Sequence, residues 1–424
     1  MEAIALLGPT SRKLSGTLVL AGSKSISNRA LIAFALAKAN PADWLSNLSI
    51  SEDTQTLQSL LSHRGDVFDA GDGGTTFRFM AAYLAIQPGV QTLTGSARML
   101  ERPIRPLVEA LRSLGANVQY LGEEGFPPLL LGEPVVSADE VPRIRIAADV
   151  SSQFLSALLL IAPYLPQGLE LLPEGPLVSR SYVAMTVGMM RYFGAEVRWE
   201  GEKIHVLPGG YIPRALSIEA DWSGASYWYA MAVFADTVDL RLVGFRADSW
   251  QGDAVLVGMM ERLGIESHFE SNTLVLKKNE KKPEPFFEWD FLECPDIAQT
   301  LAVVCGGLGV LGVFSGLETL HNKETDRIAA LKVELGKVGV SFVKLPAHMN
   351  KRSPGKTFYQ VQGKATWDTP PVFATHGDHR MAMSFAALSM LGPVVVECPR
   401  VVSKSYPLFW EHLRQVGGGV EKMA

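Results

Sequence analysis

Four short stretches of this 424-residue sequence carry residue types suited to handling anions and protons. Gly22-Ser23-Lys24-Ser25-Ile26-Ser27-Asn28-Arg29 sets two cations among hydroxyls where an apolar run begins. Lys323-Glu324-Thr325-Asp326-Arg327 holds a carboxylate between two cations, with Arg327 one helical turn beyond Lys323. Asp378-His379-Arg380-Met381-Ala382-Met383 brings a His and an Arg to the start of an apolar segment, where charge is costly without a partner. Arg102, in Glu101-Arg102-Pro103-Ile104, stands before a helix whose Pro103 suits the first turn. Plainer readings stand beside these: a solvated cap for the first stretch, and the charged first turn of an exposed helix for Lys323–Arg327. Taken together they suit an anionic substrate and acid–base catalysis.

The elements that must position these residues repeat along the chain. Polar, small-residue clusters open directly into apolar helical runs six times, beginning at Ser23, Asp72, Asp149, Asp221, Asp296 and Asp378. The intervals are 49, 77, 72, 75 and 82 residues. The runs are apolar nearly all round, so these helices are expected to be buried. Ser, Thr and Asp at the openings are expected N-caps. A second, amphipathic helix follows in each unit and ends near a glycine (Gly65, Gly115, Gly194, Gly264, Gly339, Gly417), read as a C-cap. Strand-like segments come next.

Two units are incomplete. Only 7 residues separate Gly65 from the next cluster, so the first unit lacks most of its strand hairpin. The last unit ends shortly after Gly417, and a hairpin of Glu2–Leu7 with Thr17–Leu20 is expected to complete it. The fold class expected is α/β (α+β): two domains of three units each. One spans 21–219, and the other is discontinuous, 1–20 with 220–424. Three parallel buried helices per domain would converge their N-termini, which attract anions.

Other signals exclude functions. Net charge is −5, from 39 basic and 44 acidic residues, which argues against nucleic acid or a membrane surface as partner. The cysteines, Cys294, Cys305 and Cys398, form no disulfide framework and no metal-ligand pair. The N-terminus lacks a basic n-region, and the most apolar stretch, Leu301–Phe314, is short of a membrane span. A cytoplasmic location is expected. Gly307-Leu308-Gly309-Val310-Leu311-Gly312 has dinucleotide-site spacing but follows a helical run, not a strand. Gly355-Lys356-Thr357 reads as a hairpin tip, since Asn350 stands where a phosphate loop needs Gly. His376 and His379 lack a third ligand, so no metal is expected.

These residues together resemble the 5-enolpyruvylshikimate-3-phosphate synthase family. The matching stretches are Gly22–Arg29, Asp72–Arg78, Glu101–Ile104, Ser151–Gln153, Ser179–Tyr182, Pro295–Asp296, Lys323–Arg327, Asp378–Met383 and Lys404, in family order over the whole chain. The resemblance implies two domains of three units with the active site in the interdomain cleft. It implies transfer of the carboxyvinyl group of phosphoenolpyruvate to the 5-hydroxyl of shikimate 3-phosphate, with release of phosphate. The route is addition and elimination through a tetrahedral intermediate, with no metal or organic cofactor, in a monomer.

Residue roles follow from the same resemblance. Shikimate 3-phosphate falls to Lys24, Ser25, Arg29, Ser151, Ser152, Gln153, Ser179, Tyr182, Asp296 and Lys323, with Ser25 and Arg29 as carboxylate anchors. Phosphoenolpyruvate falls to Lys24, Asp72, Gly74, Thr75, Arg102, Gln153, Arg327, Arg380 and Lys404. Asp296 is the candidate base for the 5-hydroxyl and Glu324 the acid for the methylene carbon, with Lys24 and His379 as further catalytic candidates. The chain departs from the family at Asp72-Gly73-Gly74-Thr75, commonly Asn-Ala-Gly-Thr. It departs again at Phe79, where proline is common, and at His321, where an Arg commonly sits. The rival readings are a UDP-N-acetylglucosamine carboxyvinyl transferase, which typically carries a reactive Cys early in the chain, and a relative that only binds anions.

Overall fold

The computed structural model describes residues 2–9, 11–133, 140–147, 151–175, 177–346 and 355–423. Asp149 of the third cluster and Asn350 lie outside them. The chain forms two compact units: Gly22–Ile218, and Met1–Ala21 joined with Glu219–Ala424.

In the unit 22–218, α1 (Lys24–Leu36), α3 (Gly74–Leu84) and α6 (Ser152–Ile161) are almost wholly buried and pack on one another. The intervening helices are α2 (Glu52–Leu61), α4 (Ala97–Leu100), α5 (Arg105–Ser113) and α7 (Arg180–Tyr192). In the other unit the buried set is α8 (Trp222–Phe234), α10 (Ala298–Leu308) and α12 (His379–Ala386), alternating with α9 (Leu256–Arg262), α11 (Arg327–Gly336) and α13 (Phe409–Gln415). Every residue of α8 is buried. A helix so enclosed cannot leave its last carbonyls to water. Lys278 Nζ donates to the Val233 carbonyl at 2.5 Å, and Arg12 Nη2 to that of Phe234 at 2.7 Å, placing cations at the negative end of the dipole.

The buried helices of each unit run with their N-termini together. Ser226, Thr300 and Ser384, in the first two turns of α8, α10 and α12, form a hydroxyl chain with 3.1 Å links. In the other unit Gln153, at the start of α6, donates to Thr75 Oγ1 at the start of α3 at 3.1 Å, and Arg29 of α1 reaches Ser156 of α6 at 3.1 Å.

Each complete repeat reads strand, buried helix, strand, amphipathic helix, strand, strand. The first two strands pair parallel across the buried helix, and the last two add antiparallel. Val67–Asp69 and Gln91–Thr94 show the parallel pair, and Leu129–Gly132 and Asn117–Tyr120 complete that sheet. Among the described residues five sheets have four strands, and the sixth has two, Leu45–Ser46 beside Leu216–Ser217. The first unit is short because the strand after α2, Val67–Asp69, serves the next sheet.

The expected N-terminal hairpin is not formed. Ala3–Leu7 lies antiparallel between Val394–Glu397 and Gly419–Lys422, completing the last sheet. Lys13–Val19 instead pairs parallel with Thr237–Val243. Arg12, at φ 46, donates its amide to the Pro9 carbonyl at 2.7 Å, and the second strand begins beyond it in another sheet. There it is the leading strand for α8, as Leu216–Ser217 is for α1.

Local expectations need correction in three respects: N-caps, the first-turn proline and one C-cap glycine. Ser151, Asp221 and Asp378 cap their helices through side chains, but Ser23 makes no side-chain cap bond, and α3 and α10 are capped at Gly73 and Ile297 rather than at Asp72 and Asp296. Asp296 is drawn off by cations, described below. The first-turn proline of α5 is Pro106, because the helix starts at Arg105, after Pro103. Five of the six C-cap glycines take positive φ, from 78° to 97°, but Gly65 does not. There α2 closes at Ser62, whose hydroxyl donates to the Gln58 carbonyl at 3.2 Å. The glycines at 307–312 end α10 and lead into the strand Leu311–Ser315, the reverse of a dinucleotide turn. Gly307 is needed for packing: a Cβ there would lie 2.3 Å from the Phe234 ring.

Candidate active site

In the unit 22–218, the starts of α1, α3 and α6 gather cationic and amide side chains. Lys24 Nζ pairs with Asp53 Oδ2 at 2.8 Å, both largely buried. Arg29 donates to Thr186 Oγ1, Ser156 Oγ and the carbonyls of Ser25 and Tyr182 at 2.7–3.3 Å. Gln153 is fixed from both sides: its amide nitrogen bonds Thr75, and its oxygen accepts from Arg78 Nη1 at 3.1 Å. Arg78 Nη1 also bonds the Gly74 carbonyl at 3.0 Å. Arg102 approaches the same glycine, since a Cβ on Gly74 would meet its Nη1 at 2.5 Å. Among the described residues Arg102 has no carboxylate within ion-pair reach, and its buried Nε has no hydrogen-bond partner.

The serines assigned to phosphate sit at helix starts. Ser151 Oγ accepts from the Gln153 amide, and Ser152 opens α6. Ser179 precedes α7 in the left-handed region, φ 55 and ψ 45, with no side-chain cap bond. That conformation is costly for a residue with a Cβ and is often kept where function needs it. Asp72 is exposed and accepts from the Ser96 hydroxyl.

In the other unit the charges converge on Arg327, which is 1% exposed. Its Nε bonds Asp378 Oδ2 at 2.8 Å, its Nη1 bonds Asp296 Oδ1 at 3.2 Å, and its Nη2 bonds Glu324 Oε2 at 2.8 Å. Lys323 Nζ lies 3.3 Å from Asp296, Arg380 Nη2 3.1 Å from Asp296 Oδ2, and Lys404 Nζ 3.4 Å from Glu324. His379 is buried with Nδ1 3.8 Å from Asp378 Oδ1. Four cations therefore face three carboxylates, leaving the cluster net positive. Burial pushes the Lys323 amine below its ordinary value against the pull of Asp296. Burial alone would lower Arg327 too, but Asp378, Glu324 and Asp296 reverse this and raise it.

Asp378, Asp53 and Arg78 are not among the site residues expected from the sequence. Asp378 was visible as a helix opener, but nothing local shows that its carboxylate crosses to Arg327, 51 residues away. Asp53 carried only the signal of an acid in a helix's first turn. His321, at the position where an Arg is common, pairs with Asp326 Oδ2 at 2.9 Å.

Asp253 is a further acid behind this cluster. It is buried, accepts from the Ser223 hydroxyl through Oδ2, and its Oδ1 has no partner among the described residues. Burial, helped by the charge of Asp296, pushes it up to about 7. The folded protein therefore holds this proton where the unfolded chain releases it. Stability from this group is full below about pH 4 and is lost as pH rises through about 7. Asp253→Asn, which mimics the protonated acid, should raise the melting midpoint by several degrees at about pH 8 and leave it unchanged near pH 4. Melting curves at the two pH values check this.

Two units of three repeats, with buried helices opening onto anion-handling residues, define the enolpyruvyl transferase fold. The solved EPSP synthase from Acinetobacter baumannii superposes with a TM-score of 0.76 at 19% identity, covering all of both chains. The enolpyruvyl transferase NikO from Streptomyces tendae gives 0.73 at 15% identity, over 100% of this chain and 99% of the other. The family model for EPSP synthase (3-phosphoshikimate 1-carboxyvinyltransferase) matches residues 9–66 and 56–413. The 3-phosphoshikimate 1-carboxyvinyltransferase of Bacteroides fragilis is 41% identical over 411 residues, 96% of this chain and 97% of the relative. That of Neisseria meningitidis serogroup B is 34% identical, with 95% and 96% covered. The chain belongs to the EPSP synthase family. Among the described residues no helix is long and apolar enough to cross a membrane.

Proposed function

We propose that this protein transfers the carboxyvinyl group of phosphoenolpyruvate to the 5-hydroxyl of shikimate 3-phosphate and releases phosphate, on the route to chorismate and the aromatic amino acids. One observation carries the chemistry: Asp296 and Glu324, the two carboxylates proposed to move protons, sit on neighbouring nitrogens of a single buried guanidinium. Asp296 takes the 5-hydroxyl proton as the oxygen bonds to C2 of phosphoenolpyruvate. Glu324, held between Arg327 and Lys404, protonates C3 to a methyl group, giving the tetrahedral intermediate. Loss of a proton from that methyl and departure of phosphate restore the double bond. Lys323, with its lowered basicity, and His379 are the neighbours through which those protons pass on.

In the same reading, Ser151, Ser152 and Ser179 receive the shikimate phosphate, with Gln153 and Tyr182 alongside, and Ser25 and Arg29 hold its carboxylate. Lys24 bridges the two substrates. Arg102, Arg380 and Lys404 bind phosphoenolpyruvate with Gly74, Thr75 and Gln153. Arg327, committed to three carboxylates, acts mainly by aligning them. Asp72, turned to Ser96, tempers the charge near that site. We read the protein as a cytoplasmic monomer acting on small anions. Its net charge of −5 offers nucleic acid no general attraction.

The rival acceptor is disfavoured by cysteine placement. Cys294 and Cys305 are buried, and burial pushes both thiols up, so neither suits a reactive role. Phosphate release from phosphoenolpyruvate should require shikimate 3-phosphate and not respond to UDP-N-acetylglucosamine. Glu324→Gln should lower kcat by about 10²-fold or more, with a matching loss of the intermediate burst in rapid-quench experiments. An unchanged burst removes Glu324 from the proton step.

A further inference from the structure

Arg29 is 2% exposed and, among the described residues, carries its charge without an acid. Four of its hydrogen bonds run to neutral oxygens, those of Thr186, Ser156 and the Ser25 and Tyr182 carbonyls. Among the described residues it has no ion-pair partner, in contrast to Arg327, which has three. A cation taken from water without a counter-ion is strongly disfavoured, and burial lowers its pKa to about 10, still cationic at neutral pH.

Two aromatic faces take the place of the counter-ion. The Phe79 ring centroid lies 5.4 Å from Arg29 Cζ, and the Tyr182 ring centroid lies 5.9 Å away. Both are within the range where the negative face of a ring attracts a cation, and the attraction grows once water is excluded. Phe79 is itself 1% exposed, inside α3, so its ring cannot swing away. A proline at this position, common in the family, offers no such face.

We propose that Phe79 is a positioning residue of this enzyme: its ring holds Arg29 oriented and unneutralised, and thereby sets the affinity for the carboxylate of the acceptor substrate. A carboxylate arriving at Arg29 then displaces no protein acid. A neutral aromatic neighbour is the arrangement that stabilises the cation without competing for the ligand. The inference rests on Arg29 being the carboxylate anchor of shikimate 3-phosphate, as read above.

The test uses the full chain with Phe79→Leu and with 3,4,5-trifluorophenylalanine incorporated at position 79. The fluorinated ring keeps the shape but weakens the face charge. Both should raise the Kd (by calorimetry) and the KM for shikimate 3-phosphate about tenfold, while kcat and the KM for phosphoenolpyruvate stay within about twofold. The carboxamide analogue of shikimate 3-phosphate should bind wild type and variants alike. If the fluorinated enzyme matches wild type, or if kcat and both KM values shift together with a lower melting midpoint, Phe79 only packs and the inference falls. If wild type binds no shikimate 3-phosphate, the functional reading falls and this inference with it.

Discussion

Arg327→Ala should reduce kcat/KM by about 10³-fold or more and destabilise the unit that holds it by about 3–5 kcal/mol. The guanidinium spans Asp378, Asp296 and Glu324 with separate nitrogens at 2.8, 3.2 and 2.8 Å. Removing it leaves Asp378, which is fully buried, facing Asp296 and Glu324 with no central charge. Asp296 keeps Lys323 and Arg380 and Glu324 keeps Lys404, but Asp378 loses its only guanidinium among the described residues and is left a buried, uncompensated acid. The proposed base and acid lose the shared fork that aligns them. Arg327→Lys should rescue little, because one ammonium cannot reach three acids in a fixed fork. Steady-state kinetics and urea unfolding measure the two effects. Activity of the Lys variant within tenfold of wild type would show that Arg327 supplies charge and not alignment.

The same residue shows how far a sequence reaches. Lys323–Arg327 announced itself as a carboxylate held between cations, and that local reading matches the Glu324–Arg327 contact. The contacts from Arg327 to Asp296 and Asp378 join residues 31 and 51 positions away and are set by packing of the buried helices, which no local pattern encodes. Burial of α8, α10 and α12 was legible because their sequences are apolar all round. The short first unit was legible too, as a spacing.

Strand partnership was legible only in part. Glu2–Leu7 and Thr17–Leu20 both look like strands, and proximity suggests a hairpin. Their partners are chosen instead by which buried helix lacks a leading strand, a property of the assembled sheet. The missing cap at Asp296 has a related reason: its two oxygens are taken by three cations within 3.3 Å, whereas Asp378 divides its oxygens between Arg327 and the Arg380 amide and still caps α12.

Gly74→Ala should raise the KM for phosphoenolpyruvate by about 10–100-fold and leave the affinity for shikimate 3-phosphate within about threefold. The glycine begins α3 at a point where two guanidinium groups meet the backbone. A Cβ there would stand 2.5 Å from Arg102 Nη1, 2.8 Å from Arg102 Cζ and 2.7 Å from Arg78 Nη1. None of these approaches is tolerable, so both guanidinium groups must give way. Arg78 is anchored by Gln153 and by the Gly74 carbonyl, both through Nη1, which limits its shift. Arg102 is held by no ion pair among the described residues, so it moves the further of the two. The methyl therefore displaces the arginine proposed to bind phosphoenolpyruvate and leaves Arg29, five positions into the neighbouring α1, untouched. Losing the alignment of one charge-assisted contact corresponds to about 1.5–3 kcal/mol, which gives the expected range. The double variant Gly74→Ala, Arg102→Ala should be little worse than Arg102→Ala alone, because both remove the same contact. Additive losses in that cycle would place the effect of the methyl elsewhere, at Arg78 and the Gln153 amide it holds.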